Sequence, residues 1–230
     1  ASKLLVAAER QSASSVVVPM VTVGRAGFQR AAAVAQNSIM GTGGSAHRHL
    51  GSGAFVDHGH HALIDMALFR LVGGYCEAMP CNEDAELDHR ITLAGGKIWL
   101  EPSAALTYFP RSSASALWKQ YRRYGQGRAR NLRRHRMRPK LRQMIPLLVP
   151  VAIAMAALSP FHMVLALPFT AWIVLCLSIG FIAGIKQGGG WAMAAGLAAA
   201  IMQLGWALGF IAEWLSNPPD ANARYGLLES

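Results

Sequence analysis

The sequence predicts an α/β domain that passes through a basic helix into about three membrane-spanning helices. Three observations predict this. Short β-branched runs alternate with helix-periodic segments over residues 1–118. Eleven of the 22 Lys/Arg residues fall within 119–142, a stretch without a single acid. No Asp, Glu, Lys or Arg occurs from Gln143 to Ile185. Only 15% of the 230 residues are charged, against about 25% in an ordinary soluble domain. That composition excludes a disordered chain. Cys76, Cys81 and Cys176 are an odd number without a CxxC pair, which gives neither a disulfide framework nor a zinc signature.

The elements follow in order. Ser2–Arg10 reads as a helix with Leu4, Leu5 and Ala8 on one side. Ser14 to Pro19 holds three consecutive valines and a terminating proline, the pattern of a buried strand. Phe28 to Met40 is an Ala-rich helix, and Gly41-Thr42-Gly43-Gly44 a loop. Phe55–His58 suggests a strand, and Met66–Val72 a helix stopped at Gly73-Gly74. Asn82–Ala94 is a helix closed by Gly95-Gly96, docking through Leu87, Ile91 and Ala94, with a strand following at Lys97–Leu100. Such alternation makes an α/β sheet. The strands are too few for a complete doubly wound domain, so the chain is expected to lack a preceding portion.

Spans are expected at about 144–159, 163–185 and 191–211, with Trp191 and Trp214 at the interfaces of the third. Buried helices of a soluble domain are the alternative. The basic stretch puts the preceding domain on the cytoplasmic face. Beside a span, it reads as a contact for anionic lipid rather than for nucleic acid. The expected division is 1–118, 119–142, 143–215 and a tail at 216–230.

Three groups of residues are able to carry chemistry. The first is Asn82-Glu83-Asp84-Ala85-Glu86-Leu87-Asp88. Asn82 as N-cap, with acids in the first turn, is its purely structural reading. Asp84 at a helix start also suits a general base. The second is Gln120-Tyr121-Arg122-Arg123-Tyr124, where Gln120, Arg123 and Tyr124 share one helical turn. A guanidinium binds phosphate and an aromatic ring suits a sugar; a solvated basic helix is the alternative. The third is the density of His47, His49, His58, His60 and His61. Metal ligation by His47/His49 or His58/His60 is the lesser reading, because no Cys or HExxH pattern frames them.

Together these pieces resemble a known pattern. Gly59-His60-His61, then Val72-Gly73-Gly74-Tyr75, then Asn82-Glu83-Asp84-x-Glu86-Leu87-x-x-Arg90, then Gln120-x-x-Arg123-Tyr124, all before membrane spans, is similar to the second half of the family 2 glycosyltransferases of GT-A fold. Within that family the likeness is to the membrane enzymes of succinoglycan and exopolysaccharide synthesis, where stretches like Gly41–Arg48 also occur. Gln120-x-x-Arg123-Tyr124 departs from the family's Gln-x-x-Arg-Trp by Tyr for Trp.

The resemblance implies an α/β fold formed by the C-terminal half of a Rossmann-like GT-A domain. It implies inverting transfer of a sugar from a nucleotide-sugar, UDP-linked, to a lipid-linked glycan acceptor. Asp84 aligns with the catalytic base. Arg123 would meet charge on the leaving diphosphate, while Gln120 and Tyr124 hold acceptor or diphosphate. Glu83, His60 and His61 would line the cleft. The family's DxD, which holds Mg²⁺ or Mn²⁺, is absent from this sequence. The metal therefore belongs to the full-length enzyme, no metal ligand is assigned here, and this chain alone is expected to be inactive. The resemblance also implies a multi-pass protein of the inner membrane. A non-catalytic membrane anchor or partner-binding module derived from such an enzyme is the alternative function.

Overall fold

A computed structural model describes residues 2–38, 52–187 and 190–216. Gly41–Arg48, His47 and His49, and the tail beyond Ser216 lie outside the described residues. The elements are helices α1 (Ser2–Gln11), α2 (Phe28–Asn37), α3 (Met66–Leu71), α4 (Glu83–Leu93) and α5 (Ala114–Arg134), followed by α6 (Leu141–Met144), α7 (Leu148–Ala157), α8 (Leu167–Gln187), α9 (Gly190–Met193) and α10 (Ala195–Leu215). The strands are β1 (Ser15–Val18), β2 (Met20–Thr22), β3 (Ala54–Phe55), β4 (His60–Ile64), β5 (Ile98–Leu100) and β6 (Leu106–Tyr108).

Every residue of β1 is buried, as its valine run requires, and β1 lies inside a four-stranded sheet of order β3-β5-β1-β4. β1 runs parallel to β5 but antiparallel to β4, and β3 is antiparallel to β5. The sheet is therefore mixed rather than purely parallel. β2 and β6 form a separate parallel pair. Pairing of Val18 with His60 places the start of β4 beside the end of β1. α4 covers the sheet with Leu87 and Ile91, which pack on Val17, Ile98 and Leu100. The expected face needs two corrections: Ala94 is exposed, because the chain turns at Gly95, and in α1 Ala7, not Leu5, is buried.

A second core joins α2, α5 and α10 through Ala31, Ala32, Ala35, Leu117, Tyr121, Ala198, Ala199 and Met202. Small residues let these helices approach closely. A Cβ on Gly209 would strike the Arg122 carbonyl, and one on Gly125 the Trp206 carbonyl. Arg130 Nε donates to Glu213 Oε1 at 2.8 Å, and Arg133 Nη1 to the Glu213 carbonyl at 2.6 Å. The basic helix is thus pinned along α10, with these two arginines on the Glu213 carboxylate and the helix C-terminus. Gly209→Leu should cost about 1–3 kcal/mol, the usual penalty of overpacking. Thermal unfolding in detergent would show the lowered midpoint.

Two helices are long and apolar enough to cross a membrane among the described residues. Met163–Lys186 is hardly buried, whereas half of Ala195–Leu215 is buried inside the protein. The expected first span is realised only as the short apolar helix Ile145–Ala157. At 1.5 Å per residue it covers about 20 Å of a roughly 30 Å hydrocarbon layer. Its first turn, Ile145–Leu147, is a 3-10 turn with Pro146 near its start. The expected basic helix 119–142 is also divided: α5 begins at Ala114, ends at Arg134, and is followed by Arg136 in a left-handed conformation (φ 50°).

Candidate active site

α4 presents the acidic group at one edge of the sheet. Asn82 precedes it in a left-handed conformation (φ 61°) and makes no side-chain cap. This corrects the capping expectation: the Asn82 amide instead donates to the Tyr124 carbonyl at 3.3 Å, tying the start of α4 to α5. Asp84 Oδ1 accepts the Ala85 N–H at 2.8 Å, while Oδ2 is hydrogen-bonded to His60 Nδ1. One turn later, Asp88 Oδ2 lies 2.7 Å from His58 Nδ1 and accepts the Gly59 N–H at 3.1 Å. The two pairs match by spacing. Four helical residues rise about 6.0 Å and two extended residues about 6.6 Å. Asp84 and Asp88 therefore line up with His60 and His58. The His58 and His60 rings stand edge to face, 4.8 Å between centroids. Gly59 between them is buried, where a Cβ would collide with Val17.

The electrostatics follow from this geometry. Burial pushes the Asp84 carboxyl up, but the His60 hydrogen bond, the charges of His60 and His58 and the Ala85 N–H outweigh it, so its pKa lies below the ordinary value. Burial and then the charges of Asp84, Asp88 and Glu83 raise the Tyr75 phenol, which borders the same acids. Burial and Glu83 push the Cys81 thiol up to about 11, so it stays protonated at neutral pH.

Gln120 is buried, and its Nε2 donates to the hydroxyls of Tyr108 and Tyr124, both at 2.9 Å. Its place is inside the protein, where it fixes two tyrosines. Arg123 is exposed, and its charge is felt at Cys81 beside the start of α4. Glu83 is exposed on the first turn of α4. His61, with φ 54°, is exposed and does not join the His–Asp pairs. The structure thus gathers His60, Asp84, Tyr124 and Arg123 around the start of α4 and leaves His61 outside. The sequence singles out His58 within the histidine group and Asp88 within the acidic group, but not their pairing, nor the place of Tyr75 beside these acids. The signal was the i, i+2 spacing of the histidines against the i, i+4 spacing of the acids.

A second polar network lies behind the helix. Glu86 is fully buried (0% exposed) and Arg90 nearly so (8%). Arg90 Nε and Nη2 donate to Glu86 at 2.9 and 2.6 Å, Nη2 also reaches the Gly74 carbonyl at 2.6 Å, and Nη1 donates to the Val72 carbonyl. His135 Nε2 lies 2.8 Å from Glu86 Oε1. Burial opposes ionisation of Glu86, but His135 and Arg90 prevail, and its pKa is lowered from 4.5. A lowered carboxylate stabilises the fold above its unfolded pKa, and that stability is lost as pH falls through the folded value. Acid unfolding should therefore steepen below about 4.5, and Glu86→Gln should flatten that limb in a pH-resolved melting series.

The Mg²⁺ or Mn²⁺ implied by the family resemblance does not fit the residues here. Mg²⁺ takes an oxygen octahedron. The chain has no Asp-x-Asp, and the possible metal ligands His58, His60 and Asp84 offer two nitrogens and one oxygen.

One known protein is similar to this chain. No family model matches the chain, and no solved structure matches it. The chain is 44% identical over 204 residues to succinoglycan biosynthesis protein ExoA of Rhizobium meliloti (strain 1021), a match covering 88% of this chain. The chain spans 62% of the length of that relative.

Proposed function

We propose that this chain forms the acceptor-side part of a membrane-bound, inverting glycosyltransferase of exopolysaccharide synthesis. The carrying observation is the likeness to the Rhizobium meliloti protein, joined to a carboxylate, Asp84, held at the start of α4 and tied through Asn82 to the Gln120–Tyr124 motif. The donor is a nucleotide-sugar, UDP-linked, and the acceptor a lipid-linked glycan. Asp84 takes the proton of the acceptor hydroxyl as its oxygen attacks the anomeric carbon. The bond from that carbon to the diphosphate breaks with inversion. Arg123 meets the negative charge that grows on the leaving diphosphate. Gln120 acts as a positioning residue by fixing Tyr108 and Tyr124, and Tyr124 holds acceptor or diphosphate. Glu83 and His60 border the cleft, with His61 at its outer rim. The donor's Mg²⁺ or Mn²⁺ is held by residues outside this chain. Met163–Lys186 anchors the protein in the inner membrane, with the α/β part in the cytoplasm and basic residues near anionic headgroups.

The test is transfer of labelled sugar from UDP-sugars into the lipid fraction of membranes. It uses a chimera that adds the remaining sequence of the Rhizobium meliloti relative. Labelled lipid together with released UDP is the expected result. No product from any sugar nucleotide would overturn the proposal.

A further inference from the structure

We propose that His58, His60 and Asp84 form a binding site for a divalent transition ion of the zinc type. One ligand atom from each lies within 4.8 Å of the others. Tetrahedral bonds of about 2.1 Å hold ligand atoms roughly 3.4 Å apart, so the set must close by little more than an ångström. The three side chains are 26%, 29% and 33% exposed, so an ion can enter from solvent. Two imidazoles and one carboxylate suit zinc, cobalt or nickel better than magnesium. Three protein ligands leave one tetrahedral position open.

A second shell supports the first. Asp88 holds His58 through Nδ1 at 2.7 Å and is itself fixed by the Gly59 N–H. Nδ1 is thereby committed, and Nε2 becomes the ligating atom. A carboxylate behind an imidazole is the usual device that orients a metal-binding histidine. The ion would replace the present hydrogen bond between His60 and Asp84 and compete with protons for all three ligands. Binding itself does not depend on the transferase reading. Its consequence does: an ion on Asp84 removes that carboxylate from service as a base, so zinc would inhibit transfer.

The test is direct titration of the purified full chain with Co²⁺ after chelator treatment, followed by displacement with Zn²⁺. We expect one Co²⁺ per chain, intense tetrahedral ligand-field absorption, and loss of that absorption as zinc enters. His58→Gln and His60→Gln should each abolish the tetrahedral spectrum, whereas His61→Gln leaves it unchanged. Asp88→Asn should weaken binding about 10- to 100-fold while keeping the spectrum. Melting curves of the metal-free variants check folding. If His60→Gln unfolds, His58→Gln and Asp88→Asn decide the matter. An octahedral spectrum throughout, equal affinity in the His58 and His60 variants, or loss of binding only in a His47→Gln/His49→Gln variant would each overturn the proposal.

Discussion

In the chimera, Asp84→Asn should lower sugar transfer by about 10²- to 10⁴-fold, the usual contribution of a positioned general base. Asparagine keeps the size of the side chain and its acceptor oxygen for the Ala85 N–H. It loses the charge and the proton affinity. His60 then faces an amide in place of a carboxylate, so the loss should fall on kcat rather than on KM for the soluble donor. The pH dependence separates this from a structural effect. Asp84 has its pKa below the ordinary 3.8. It is therefore fully ionised at neutral pH, and its acid limb in the rate profile lies below that value. An unchanged melting temperature with lost turnover supports the base. Equal turnover in parent and variant would reduce Asp84 to an acid placed for the helix dipole, and the base would have to be sought elsewhere.

Much of the fold was legible in the sequence, and what was not has definite physical causes. β1 and α4 were readable because their signals are local: a valine run ended by Pro19, and a helix opened by acids and closed by Gly95. β2 and β6 are three residues each, too short for periodicity, and exist through their mutual pairing. β4 opens with two histidines, and the first of them pairs with Val18, far back along the chain. The uncharged run at 191–211 reads as a span, and Ala195–Leu215 is long and apolar enough for one, but hydropathy does not reveal that half of it is buried against protein. What marks α10 as a packed helix is its small residues, Ala195, Ala198, Ala199, Gly205 and Gly209, on the side that meets α2 and α5. At the candidate site, Asp84 stood out through its motif. His58 and Asp88 were each visible in their clusters, but their pairing was not, because their meeting depends on a strand edge and a helix face being set side by side by the sheet.

The same helix carries the largest expected effect on stability. Arg90→Met should lower the unfolding free energy by about 3–5 kcal/mol, the cost of breaking a buried ion pair from one side. Glu86, fully buried, would keep its contact with His135 but lose its guanidinium. The carbonyls of Val72 and Gly74, which lie in the turn leading to Tyr75, would lose their donor as well. Methionine fills a similar volume, so the loss reports charge and hydrogen bonds rather than a cavity. A double replacement, Glu86→Leu with Arg90→Met, should recover most of the loss, because it removes the stranded charge along with its partner. Denaturant unfolding of the parent, single and double variants gives the cycle. A single variant within about 1 kcal/mol of the parent would mean that water reaches Glu86 and screens it as at a surface pair. If the expected cycle is found, this buried pair holds the Gly73-Gly74 turn against α4, and it fixes the height at which Tyr75 and Asp84 face the same cleft.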